Sequence, residues 1–144
     1  MFFKYHFHRK NTSLQYIHHP INAFHMLKRI AQWMPKIVSL IPTIKFEYDL
    51  LSMEEEYQRA SLGLADLHHY YNISIEELSE GKIKNSKNDR VYLSKSGLNT
   101  FELMQIAQEA KSQNYLDDYV SWLIVALKKA KQENKNTKYI RNIK

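Results

Sequence analysis

The chain has 144 residues, the size of one domain or of a piece of something larger; it is 44% hydrophobic and 25% charged, with only 3 Gly and 3 Pro. That turn-poor balance argues against a sandwich, a barrel or a disordered chain and for helices. The net charge of +6 is segregated: residues 1–46 carry seven basic and no acidic side chains, 47–127 sum to −7, and 128–144 to +6, so the polyanion reading of a basic pI applies only to the two ends.

Residues 1–18 show no sustained period and are expected to form a basic, poorly ordered segment. They also lack the apolar run of about 7–15 residues and the cleavage site of a secretory signal. Pro20 suits a first helical position, and Ile21, Phe24, Leu27 and Ile30 recur at helical spacing through Trp33 and Met34. Pro35 predicts a kink or stop near Met34, with resumption through Leu40 and an end at Pro42. The longest apolar patch, 37–44, is far short of the ~20 residues that a membrane span needs.

After an extended link around 43–51, Ser52 reads as an N-cap, with Glu54, Glu55 and Glu56 in the first turn of a helix running to about Tyr70. Ser74 and Glu77 read as a capping box opening a short helix closed by Gly81, and 82–96 as a loop. Two further helices, about Asn99–Ser112 and Leu116–Lys131, are joined by only three residues and must pack antiparallel. Leu103, Ile106, Ala107 and Ala110 should face inward from the first, and Tyr119, Leu123 and Ala126 from the second.

Counted from Leu103, these positions follow tetratricopeptide spacing, with Tyr119 standing where that unit usually has alanine. One such unit does not bury its face alone, since about three are normally required, so the sequence reads as cut short before a basic tail at 132–144. The predicted fold is all-α, built of helical hairpins, with 19–96 and 97–131 as its two helical regions.

Zero cysteines remove disulfides, thiol nucleophiles and thiolate metal sites. The seven histidines, His6, His8, His18, His19, His25, His68 and His69, show neither His-x-Asp nor His-Glu-x-x-His, and adjacent pairs point about 100° apart on a helix. The three glycines form no phosphate-cradling loop, and there is no Gly-x-Ser-x-Gly elbow. No catalytic, cofactor or metal residue is therefore assigned. Among the aromatic residues, Trp33, Tyr57, Tyr119 and Trp122 are expected to fill gaps between helices. Tyr115 and its neighbours are expected to face a groove, where rigid rings receive a polyproline II peptide at little entropic cost.

The segment His19-Pro20-Ile21-Asn22-Ala23-Phe24-His25-Met26-Leu27-Lys28-Arg29 resembles the N-terminal region of the collagen prolyl 4-hydroxylase alpha subunit. A second block, Arg59 to Leu67 with Tyr71-Asn72-Ile73 and Leu78-Ser79-Glu80-Gly81, is similar to that family's Ala-rich helix, Tyr-Asn-Leu turn and Gly-terminated short helix. A third, Leu98 to Leu127, resembles the start of its peptide-substrate-binding domain, with Trp122 and Ala126-Leu127 as a Trp-x-x-x-Ala-Leu ending.

The resemblance implies an α2β2 enzyme of the endoplasmic reticulum lumen, partnered by protein disulfide isomerase. That enzyme hydroxylates proline in collagen-like Xaa-Pro-Gly repeats with Fe(II), 2-oxoglutarate, O2 and ascorbate. This chain would be a fragment or truncated paralogue supplying association and part of a proline-rich peptide groove, with the chemistry on the family's C-terminal oxygenase domain. Peptide-binding candidates are Lys111, which stands where the family has a groove tyrosine, Tyr115 and Tyr119; association candidates are Phe24, Leu27, Ile30 and Trp33. The alternatives are a stand-alone helical interaction module, with no link to hydroxylation, and a weak nucleic-acid binder acting through the basic ends. Neither a nucleic acid nor a membrane is the expected partner.

Overall fold

The computed structural model describes residues 18–40, 50–84 and 90–141. The element order is α1 (Pro20–Leu40), α2 (Leu50–Tyr71), α3 (Ile75–Ser79), β1 (Lys82–Lys84), β2 (Val91–Leu93), α4 (Thr100–Ser112) and α5 (Leu116–Arg141). Among the described residues the fold is all-α apart from one small antiparallel hairpin. No helix among the described residues is long and apolar enough to cross a membrane.

His19 starts α1 as its N-cap. Its carbonyl accepts from the Ala23 N–H at 3.1 Å and its Nδ1 from the Ile21 N–H at 3.3 Å, while Pro20 occupies the first helical position, where no N–H is needed. Accepting at Nδ1 leaves the proton on Nε2, which is buried without a well-formed hydrogen bond. Burial lowers the pKa of His19 below its ordinary 6.5, outweighing the opposing pull of the Tyr92 carbonyl.

Helix α1 runs through Pro35 as one element, so of the kink or stop predicted near Met34 the stop is corrected, while the continuation through Leu40 is as expected. Its face turns outward well before that point: Ile21 and Phe24 are buried, whereas Ile30 is 37% and Trp33 63% exposed. Trp33 had been expected to fill a gap between helices, and that reading is corrected; Ile30 and Trp33 were also association candidates. Pro42, the link 43–49 and His6 and His8 lie outside the described residues.

Helix α2 begins at Leu50, two residues before the expected cap, so Ser52 lies inside it and Glu54 to Glu56 fall beyond its first turn. The carboxylates at the next starts are where dipole compensation puts them: Glu76 and Glu77 in α3, Asp117 and Asp118 in α5. Ser74 caps α3 by accepting from the Glu77 N–H at 3.3 Å, but the reciprocal half of the box is missing because the Glu77 carboxylate pairs with Lys84.

Gly81 follows α3 in the left-handed region at φ 79°. A Cβ there would meet Ser94 Oγ, so both conformation and space require glycine. The predicted loop contains the hairpin, with Lys82 opposite Leu93, Ile83 opposite Tyr92 and Lys84 opposite Val91. It is fastened at its base by Ser94 N–H to the Gly81 carbonyl at 2.7 Å and Leu98 N–H to the Ser79 carbonyl at 2.9 Å.

Helix α2 is central, packing on α1 on one side and on α4 on the other, while α4 and α5 pack as a pair. The Thr100 hydroxyl donates to Glu133 at 2.7 Å, which joins the start of α4 to the far part of α5 and makes the pair antiparallel. Ser61, Leu64 and Ala65 of α2 and Leu103, Ile106, Ala107 and Ala110 of α4 are buried, as are Tyr57, Trp122 and Ala126. Small side chains let α2 approach the pair closely. The apolar core is continuous from Ile21 to Ala126. Helix α5 continues ten residues past the expected end at Lys131, taking in most of the segment read as a tail.

One polar cluster ties the ends of this core together. Asn99 and Glu102 form a reciprocal capping box at the start of α4. The same buried carboxylate accepts from Lys28 Nζ at 2.7 Å and lies 3.3 Å from His25 Nε2, both on α1. Burial alone would raise the pKa of Glu102, but His25, Lys28 and the Asn99 N–H together overcome it and hold the value at about 2, against an ordinary 4.5. Nearby, the Tyr57 ring packs on Phe24 with centroids 5.3 Å apart; burial first, then the charges of Glu102 and Glu54, push its hydroxyl up to about 12.

These shifts set two pH windows. For Glu102 the folded value is depressed, so its contribution is complete above about pH 4.5 and is lost as pH falls toward about 2. Glu102→Gln keeps an acceptor for the cap but removes the charge facing Lys28. It should cost roughly 1–3 kcal/mol at neutral pH, a difference from wild type that denaturant melts should see disappear at the acid end. Neutral His19 contributes above its ordinary 6.5 and progressively less below it. His19→Asn, which keeps a capping acceptor, should therefore show a smaller fall in Tm than wild type between about pH 7 and about pH 5.5.

Candidate functional site

The three peptide-binding candidates come together where the α4–α5 turn meets the end of α2. Helix α4 ends in a Schellman motif. The Asn114 N–H donates to the Lys111 carbonyl and the Tyr115 N–H to the Ala110 carbonyl, both at 3.0 Å, with Asn114 left-handed at φ 63°. That turn delivers Tyr115 onto α2. Its ring stacks on His69 with centroids 3.8 Å apart and planes 5° from parallel. Its hydroxyl lies 3.0 Å from the Tyr70 hydroxyl and donates to Asp66 at 3.3 Å. The Tyr70 contact, then burial and the Asp66 carboxylate, raise the Tyr115 pKa, so the ring stays a neutral donor.

Lys111, whose carbonyl takes part in the motif, holds its ammonium 5.5 Å from the centre of the Tyr119 ring. Beneath, Asp118 meets two adjacent histidines, His69 Nδ1 at 2.6 Å and His68 Nε2 at 3.4 Å. This convergence was not expected of neighbours about 100° apart on a helix, and it arises because Asp118 sits between their two directions. His68 Nδ1 also contacts the Ile73 carbonyl at 2.8 Å, so both its nitrogens face acceptors. The edge of the same ring lies against the buried Trp122.

The surface is thus a shelf of Tyr70, Tyr115, His69 and Tyr119 with one cation at its rim. Sequence reading named Lys111, Tyr115 and Tyr119 but not Asp66, His69, Tyr70 and Asp118 as members of this surface; the aromatic run His68–Tyr71 signals His69 and Tyr70, and nothing in the sequence signals the two aspartates. Among the described residues no group of three His, Asp or Glu could hold a metal ion.

The association candidates divide. Phe24 is in the chain's own core and Leu27 is half-buried, while Ile30 and Trp33 lie on the surface. The segment from His19 to Arg29 owes much of its character to contacts within the chain. His19 caps α1, Asn22 Oδ1 accepts from the Lys95 N–H at 3.1 Å, Phe24 packs on Tyr57, and His25 and Lys28 hold Glu102.

A family model described as Prolyl 4-Hydroxylase alpha-subunit, N-terminal region, matches residues 3–85. The chain belongs to this family. Two of the three resembling blocks fall inside the match, and the third, from Leu98, lies beyond it. The match also begins at residue 3, inside the basic stretch that had been set apart from the family blocks. No curated protein and no solved structure matches the chain. The prolyl 4-hydroxylase region therefore includes α1 to β1, and its last long helix, α2, forms half of the aromatic shelf.

The shelf depends on the turn that aims Tyr115. Asn114→Val, a β-branched residue forced to positive φ, should cost about 1–2 kcal/mol in chemical denaturation, whereas Asn114→Gly should be close to neutral. Stacking predicts upfield-shifted His69 ring protons in NMR spectra, a shift retained in Tyr115→Phe and lost in Tyr115→Ala.

Proposed function

We propose that this chain is a binding element of a prolyl 4-hydroxylase alpha subunit, receiving proline-rich, collagen-like peptide on the Tyr115 shelf and associating with a second alpha subunit through the outer edge of α1. The observation that carries the peptide half is the shelf itself: rings fixed by stacking and hydroxyl contacts, with Tyr70 and His69 exposed and Tyr115 and Tyr119 partly so, and little side-chain entropy left to lose on binding. Polyproline II segments suit it, because they offer ring faces and unpaired carbonyls to aromatic and hydroxyl-bearing surfaces. The association half rests on Ile30, Trp33, Ile37 and Leu40, all exposed and successive on α1.

Under this reading α4 and α5 form the first tetratricopeptide-like pair of a longer stack. Val120, Ile124 and Leu127 are exposed at helical spacing on α5 and would meet the next pair. Hydroxylation with Fe(II), 2-oxoglutarate and ascorbate, the protein disulfide isomerase partner and the endoplasmic reticulum lumen belong to the family's whole enzyme. The described residues do not fit an iron site, and no step of that chemistry is assigned to them.

Adding a (Pro-Pro-Gly)-type peptide to isotope-labelled protein should shift Lys111, Tyr115 and Tyr119 resonances saturably. Tyr115→Ala should weaken binding about tenfold, in line with an aromatic anchor; unchanged spectra would rule out the peptide half. Sedimentation should show self-association that Trp33→Glu abolishes, and a monomer at every accessible concentration would remove the association half.

A further inference from the structure

We propose that Asn72 is the acceptor of an N-linked glycan. Asn72-Ile73-Ser74 is an Asn-x-Ser sequence with no proline at its middle position, and it occupies the turn between α2 and α3. The chain holds one more, Asn11-Thr12-Ser13, which lies outside the described residues. Attachment takes place in the endoplasmic reticulum lumen, so the assignment rests on that part of the proposed function.

The turn leaves the Asn72 side chain unused. Its N–H closes α2 by donating to the His68 carbonyl at 2.8 Å, and its backbone is left-handed at φ 50°. The residue is exposed, and among the described residues its carboxamide makes no hydrogen bond. A cavity of about 470 Å³ adjoins it, with Ser74, Ser121 and Ile124 in its lining. A sugar on Asn72 therefore breaks no contact of the fold and has room beside the turn.

The chemistry is a group transfer. Asn72 Nδ2 attacks the anomeric carbon of an oligosaccharide carried on a polyprenyl diphosphate. The bond from nitrogen to that carbon forms as the bond from the carbon to the diphosphate oxygen breaks. Nδ2 gives up one proton to a base on the transferase, and the polyprenyl diphosphate leaves; nothing is oxidised or reduced.

The fold also fixes when this takes place. The transferase reads the hydroxyl of Ser74 together with Asn72, but in the folded chain Ser74 Oγ accepts from the Glu77 N–H at 3.3 Å and donates to Glu76 at 3.4 Å. Ile73, between them, packs against the core. The acceptor sequence is thus open in the entering, unfolded chain and closed once Ser74 caps α3, whereas the product is compatible with the fold because Asn72 stays exposed.

The test is translation of the full chain, with a secretory signal added, in the presence of microsomes. In an Asn11→Gln background, the chain protected from protease should show one step of reduced gel mobility that an amide-cleaving glycosidase removes. Asn72→Gly, which suits the left-handed turn, and Ser74→Asp, which keeps a capping acceptor, should each lose that step and remain protected. Ser74→Thr should retain it. Purified, folded chain given to detergent-opened microsomes should stay unmodified. Protected chain without the step, a step that survives Asn72→Gly, or modification of folded chain as complete as that of nascent chain would overturn the proposal. Failure of the lumenal reading looks different: natural protein that protease reaches in intact vesicles from its own cells.

Discussion

The carboxylate of Glu102 is the constraint on which the arrangement of α1 and α4 depends. One group closes the start of α4 through its capping box and reaches across 74 residues of chain to Lys28. A carboxylate this buried is costly without partners, and here each oxygen has at least one strong donor. Because local capping and tertiary docking draw on the same atoms, α4 cannot keep its cap in place and leave α1 undocked without stranding a buried charge. Asn22 repeats the arrangement on a smaller scale, as its amide oxygen holds the backbone at Lys95. The segment that carries the family likeness is therefore a set of side chains that fasten α1 to residues 95–102.

Much of the helical framework was legible in the residues because it is periodic. Leu103, Ile106, Ala107 and Ala110 recur at the spacing of a helix face, and all four are buried. The three-residue link before α5 left room only for an antiparallel return. The hairpin was not legible: Lys82-Ile83-Lys84 and Val91-Tyr92-Leu93 are too short to show a period, and they are stabilised by backbone contacts at Ser79 and Gly81 that no local pattern encodes. The end of α5 was misread because Lys and Asn suggested a tail, although lysine is a good helix former and the helix simply continues.

The shelf was half visible. Tyr115 and Tyr119 stand out as rings near a tight turn, and Lys111 came from alignment with a family position. The partners of Tyr115 come from α2, 45 or more residues away, and Asp118 looked like an ordinary first-turn carboxylate. Distance in sequence hid the pairing, since a residue explained by dipole compensation gives no hint of a second role. Glu102 escaped notice for the same reason. The spacing Asn99-x-x-Glu102 announces a cap, but nothing near it announces Lys28.

The chain's two tryptophans sit in opposite surroundings: Trp122 has no exposed surface, whereas Trp33 is mostly in solvent. The protein thus carries two intrinsic optical probes with separable responses. A collisional quencher such as acrylamide reaches Trp33 and spares Trp122, so the quenchable fraction of emission reports on the outer edge of α1 while the protected fraction reports on the packing of α2 against α5. Events at the surface and events in the core can then be followed in one sample, without adding a label.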